Sequence, residues 1–171
     1  MRDFDPVLDE LDRKGIPYRL FQHPGPLRSL EQAAEERGQD PGQVVRSILF
    51  RCSGGSYVMV LVSGPGQISW PALRRYLGVS RISMASPEEV LEQTGYPTGA
   101  VCPFSLPRPL RVISEASLFD LDEVSLGSGI RARALIIKTA DLRRALGGVE
   151  TGEFLDNSPE AAAGVAHPPE S

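Results

Sequence analysis

The residues of this chain that could do chemistry fall in four places. Arg46 lies within Val44-Val45-Arg46-Ser47-Ile48-Leu49-Phe50, and the alternation of an extended strand puts it on the same face as Ile48 and Phe50. A guanidinium on that face either holds a phosphate or carbonyl oxygen, or sits at the strand's entry and reaches solvent along its apolar stem. The segment Gly95-Tyr96-Pro97-Thr98-Gly99-Ala100-Val101-Cys102-Pro103 has small residues that let a ligand approach the backbone, prolines that stiffen it, and N–H groups suited to a developing oxyanion. A plain loop is the alternative there. Gly127-Ser128-Gly129 offers a second backbone concavity, matching neither the dinucleotide fingerprint nor the phosphate loop, with a simple turn as its alternative. Cys102 and His23 could pair as thiol nucleophile and base, against the plainer expectation of a buried apolar cysteine and an exposed histidine in His23-Pro24-Gly25-Pro26. Cys52 and His167 are the only others of their kind, so neither a four-ligand zinc site nor a disulfide framework is expected.

The elements that must position these residues are short. Val7, Leu8 and Leu11 repeat at helical spacing and stop at Gly15, and Tyr18-Arg19-Leu20-Phe21 follows as a strand. Ser29 and Gln32 resemble a capping box for a helix running to about Arg37 and ending at Gly38. Val44 to Cys52 and Tyr57 to Val62 flank Ser53-Gly54-Gly55-Ser56, which predicts a hairpin at the heart of the sheet. Ser69 can cap a helix through Leu77, and after a strand from Arg81 to Met84, Ser86-Pro87-Glu88-Glu89 gives a capping box with proline at the first helical position. Strands are expected at Leu110 to Ser114, near Val124 and at Ala132 to Ile137, with a last helix from Thr139 to Gly147-Gly148. Without strict β-α-β alternation or internal repeats, this predicts a single α+β domain over residues 1–155, with a mixed, mostly antiparallel, barrel-like central sheet flanked by short helices. Residues 156–171, with four Ala, three Pro and no aromatic, read as a disordered tail.

The 171 residues, 41% hydrophobic and 23% charged, suit one globular domain with a real core. No stretch approaches the roughly 18 apolar residues of a membrane span and no apolar leader follows Met1, so the cytoplasm is the expected compartment. The net charge is −4, but residues 156–171 carry Asp156, Glu160 and Glu170 and no Lys or Arg, which leaves the body near neutral. That balance argues against gripping long DNA duplexes, while a local patch built from Arg46, Arg108, Arg111, Arg131 and Arg133 would suit a small RNA contact.

The order of the pieces, His23-Pro24, then Gln43 to Phe50, then Thr94-Gly95-Tyr96 leading to Gly99-Ala100-Val101-Cys102-Pro103-Phe104, then Gly127-Ser128-Gly129, resembles the YbaK family over about residues 5 to 148. That family includes the editing domain inserted in bacterial prolyl-tRNA synthetases and its free-standing relatives, the ProXp deacylases. The resemblance implies hydrolysis of a small, wrongly attached amino acid from the 3′ end of a tRNA, with tRNA for proline as the expected carrier and a synthetase as a possible partner. It implies no cofactor. Arg46, Gly99 and Ala100 would be the catalytic positions, the Gly99–Pro103 loop holding the aminoacyl carbonyl through backbone N–H groups. His23, Val101, Cys102, Pro103, Gly127, Ser128 and Gly129 would line the substrate. The family's better-known deacylases have lysine where this chain has Arg46, and arginine keeps its charge and cannot act as a base, so its implied role is binding or electrostatic. The family's glycine after Gly99 is Ala100 here, which would narrow the pocket by a methyl group. A catalytically silent module binding a tRNA end, nucleotide or synthetase, and a thiol hydrolase using Cys102, are the alternatives.

Overall fold

A computed structural model describes residues 4–156. Its helices begin where local chemistry can satisfy the first free N–H groups. The Asp5 carboxylate accepts from Val7 and Leu8 at the start of α1 (Pro6–Arg13), which buries Val7, Leu8 and Leu11. Ser29 caps α2 (Leu30–Arg37), and Ser69 caps α3 (Trp70–Leu77). Ser86 and Glu89 form the expected reciprocal capping box on α4 (Pro87–Thr94), and α5 (Thr139–Ala145) follows the last long strand.

The strands are β1 (Arg19–Gln22), β2 (Val45–Cys52), β3 (Tyr57–Ser63), β4 (Ile82–Met84), β5 (Arg111–Glu115), β6 (Glu123–Gly127), β7 (Arg133–Lys138) and β8 (Glu150–Gly152). They differ from one central barrel-like sheet by forming two: a five-stranded sheet in the order β4-β2-β3-β5-β8 and a three-stranded sheet in the order β1-β7-β6. An isolated parallel bridge between Val44 and Ser125 joins them. The β3–β5 and β5–β8 pairings are parallel and the other four antiparallel, so the expected mixed, mostly antiparallel character holds within an α+β fold.

The β2–β3 hairpin is buried on both faces, which is why it reads as two nearly continuous apolar runs. Val45, Leu49, Met59 and Leu61 face a core shared with α1, β6, β7 and the Val101–Phe104 segment. Ile48, Phe50, Val58, Val60 and Val62 face Leu73 of α3, Ile113 and Phe154. The short strand β8, polar and only three residues long, was not foreseen. Beyond it Phe154 is fully buried, Leu155 bridges Ile68, and the Asp156 N–H donates to Gln67 O at 2.7 Å. Asp156 is thus anchored, and the rest of the expected tail, 157–171, lies outside the described residues.

Candidate functional site

The loop after α4 is shaped by its own backbone and by one aromatic side chain. Gly95 ends the helix in the left-handed conformation, and the buried Tyr96 hydroxyl donates to Phe104 O across the loop. Burial drives the phenol's pKa well above its ordinary value, so Tyr96 stays a neutral donor. The Ala100 N–H donates to Pro97 O at 3.1 Å, closing a turn around Thr98 and Gly99, both of which are exposed. The N–H groups of Gly99 and Val101 donate to no acceptor among the described residues.

The end of β6 closes directly onto this loop. The Gly129 N–H donates to Ala100 O at 2.9 Å. A Cβ on Gly127 would lie 2.3 Å from Val101 O, and one on Gly129 2.9 Å from the Tyr96 ring, so both positions need glycine for close approach. The two glycine-bearing segments singled out from sequence are therefore one assembly.

Several of the other candidates occupy different places than expected. Arg46 is buried on the face of Ile48 and Phe50, as alternation requires. It does not run out to solvent: its Nε donates to Gly64 O at 3.0 Å and its Nη2 to Gly66 O, in the turn that follows β3. Val101, Cys102 and Phe104 pack on the opposite face of β2. Ser128 is buried, and its hydroxyl exchanges hydrogen bonds with Arg133, accepting from Nε and donating to the main-chain carbonyl. Ala100 is fully buried, so its methyl group is core packing and does not stand at an open surface.

His23 is not an exposed loop residue. Its ring is buried beside Phe21, with Nδ1 2.6 Å from Glu36 Oε1 and Nε2 accepting from Arg37 Nε at 3.0 Å. Because Nε2 accepts, Nδ1–H is left to donate to Glu36. That bond, with another from Gln32, holds the Glu36 carboxyl below its ordinary pKa, and burial lowers Arg37 to about 10. Arg37 Nη1 also donates to Ser125 Oγ at 2.8 Å, tying α2 to β6 beside the bridge between the sheets. The ring is thus spent on structure, but the His23 N–H donates to Ala132 O at 2.7 Å and so holds the β6–β7 turn.

Cys102 is fully buried, and burial raises its thiol to about 11, with Sγ 3.8 Å from Phe104 O. Both ring nitrogens of His23 are engaged elsewhere, so the thiol and base required by the thiol-hydrolase reading are not brought together. Pro103 and Phe104 line a cleft of about 340 Å³ together with Glu10, Lys14, Leu110 and Ala145. None of Arg46, Gly99 or Gly127 lines it.

Sequence reasoning missed the partners: Gly64 and Gly66 for Arg46, Asp5 for Arg133 at 2.8 Å, and Thr98 for Arg131, whose Nε donates to Thr98 O at 3.0 Å.

Solved structures share this architecture. A crystal structure described as that of a candidate trans-editing enzyme for prolyl-tRNA synthetase superposes with a TM-score of 0.79 at 24% identity, covering 91% of this chain and all of that one. The class they define is an α+β domain, in which this chain pairs two glycine-bearing segments. The family model of the aminoacyl-tRNA editing domain matches residues 24–145, and the chain belongs to that family. Among relatives, the multifunctional Ser/Thr-tRNA deacylase ProXp-y of Escherichia coli (strain K12) is 30% identical over 138 residues, covering 78% of this chain and 82% of the relative. The proline–tRNA ligase of Thermosipho melanesiensis is 34% identical over 100 residues, which is 58% of this chain and 17% of the ligase.

Proposed function

We propose that this chain is a trans-acting aminoacyl-tRNA deacylase that removes a small, wrongly attached amino acid from the 3′ end of a tRNA, with tRNA for proline as the carrier. The observation that carries this reading is the seam where Gly127–Gly129 closes on Ala100–Val101, in a chain of the editing-domain family.

In the reaction, the oxygen of water attacks the ester carbonyl carbon and negative charge collects on the carbonyl oxygen. The bond to the ribose oxygen then breaks, that oxygen takes a proton, and free amino acid and a free tRNA hydroxyl result. The Ala100 N–H is committed to Pro97 O, so the N–H groups of Gly99 and Val101 are the donors proposed to meet the charge. One such donor is worth about 2.7–4 kcal/mol in a preorganised site. Arg46 is proposed to act one step behind the substrate, by holding the Gly64–Gly66 turn through its carbonyls. Removal of the amino acid requires no thiol.

The test is single-turnover hydrolysis with tRNA for proline carrying alanine, cysteine or serine, alongside charged tRNAs for serine and threonine, the residues named for the E. coli relative. Release from at least one of them supports the proposal. The commitment of the Arg46 guanidinium to main-chain carbonyls also favours a second reading, a silent module that binds a tRNA end, a nucleotide or a synthetase. Binding of uncharged tRNA without release from any charged one would select it.

A further inference from the structure

The five arginines that could form a cationic patch separate in the structure. Arg46 is bound to Gly64 and Gly66, Arg111 is paired with Glu150 at 2.8 Å, and Arg133 is paired with Asp5 at 2.8 Å. Arg108 stands exposed on the loop before β5. Arg133 also meets the seam, where its Nε and Nη2 are spent on Ser128, and Arg131 lies against it on the Gly99 side. Its side chain runs over the Cα of exposed Gly99, where an added Cβ would meet Arg131 Nε, Cγ and Cδ at 3.6, 3.7 and 3.9 Å.

The turn that presents Arg131 is constrained. Ala132 has φ +61, a left-handed conformation that non-glycine residues rarely adopt. It is held there because its carbonyl accepts from the His23 N–H at 2.7 Å and from Gln22 Nε2 at 3.0 Å. Of the five N–H donors of the guanidinium, only Nε–H is used, on Thr98 O at 3.0 Å. The two Nη groups have no partner among the described residues, which leaves a pre-oriented fork at the lip of the loop.

We infer that Arg131 anchors a phosphate of the tRNA 3′ end and thereby sets where the terminal nucleotide lies relative to Gly99. This rests on the seam being the deacylation site. An aminoacyl ester carries a cationic amine and no anion of its own, so the anions nearest the reacting carbon are the phosphodiesters leading to the terminal nucleoside. A planar fork fixed by Nε and open at Nη suits one of them.

The test is fluorescence-anisotropy binding of a short RNA oligonucleotide with a free 3′ adenosine, repeated over a salt series, together with kcat and KM on the best charged tRNA. Arg131→Ala is expected to weaken binding about three- to tenfold at low salt and to reduce the slope of log K against log salt by about 0.7, one phosphate contact on a single strand. The loss in kcat/KM should appear mainly in KM. Arg131→Lys, which keeps charge without the fork, should recover part of the binding, and Arg13→Ala, the same charge removed from α1, should leave the slope as it is. Parent-like affinity and slope in Arg131→Ala overturn the inference, as does failure of the parent to bind the oligonucleotide. If the parent releases no amino acid from any charged tRNA yet its binding still depends on Arg131, the deacylase reading fails and the anchor stands.

Discussion

Gly129 donates its main-chain N–H to the carbonyl of Ala100 at 2.9 Å, and so fixes the end of β6 to the loop that follows α4, although about thirty residues of chain separate the two. The bond matters because both segments are otherwise irregular, and each supplies the other's missing wall.

The closeness of that approach distinguishes two glycines by experiment. Gly127→Ala would drive a methyl group to 2.3 Å from Val101 O, a main-chain atom that cannot swing aside, so unfolding should become easier by about 1–3 kcal/mol, read as a lower denaturant midpoint. Gly99→Ala meets only the flexible Arg131 side chain, at 3.6 Å, but must adopt φ +93, at a cost of about 1–2 kcal/mol. Its deacylation rate should fall further than its stability alone explains. A Gly127→Ala variant with the parent's midpoint would contradict the packing described here.

Cys102→Ser should keep most of the deacylase rate per folded molecule. With the thiol raised to about 11 by burial, about one in ten thousand is ionised at pH 7, and both ring nitrogens of His23 are engaged elsewhere. Near-complete loss, with an acyl-enzyme trapped by rapid quench and mass spectrometry, would restore the thiol mechanism.

The acid limb of stability should report Glu89. Its carboxylate is lowered to about 2, first by the hydrogen bond from the Ser86 N–H and then by the Tyr57 hydroxyl. A folded pKa below the unfolded one, which is about 4.3, means stability that is fully present above the unfolded value and lost as pH falls through the folded one. Glu89→Gln should therefore be less stable than the parent at pH 6, and the gap should close between about pH 4.5 and 2. Midpoint measurements across that range check it; a gap that does not change with pH would show that charge is irrelevant there.

What could be read beforehand followed the reach of each interaction. The Ser86–Glu89 box and the helix starts at Ser29 and Ser69 are local, and their partners lie within three residues. The face of Arg46 was also legible, since alternation along β2 decides it. Its acceptors were not, because Gly64 and Gly66 return to it only through the hairpin. His23 was misread for the same reason: Glu36 and Arg37 look like two charges on a solvated helix, and only docking of α2 turns them onto a buried ring. The split into two sheets and the strand Glu150–Gly152 likewise depend on pairings no local pattern carries.

Arg46 provides the sharpest test, because burial changes what its removal should do. Were it a solvated strand-end charge, Arg46→Ala would leave folding almost untouched. Here the substitution strands the carbonyls of Gly64 and Gly66, so it should cost about 1–3 kcal/mol of stability as well as activity. Arg46→Lys keeps the charge and has the reach for one carbonyl, but its single ammonium cannot reproduce the planar fork that spans both. The expected order for thermal midpoint is parent, then lysine, then alanine. Single-turnover deacylation should follow the same order, with the alanine variant about ten- to a hundredfold slower when assayed at a temperature where all three are folded. Such parallel losses are the mark of a residue that acts by shaping the turn. A lysine variant less stable than the parent yet as fast or faster would instead put the cation in contact with the substrate. An alanine variant that matches the parent in both midpoint and rate would remove Arg46 from the site altogether.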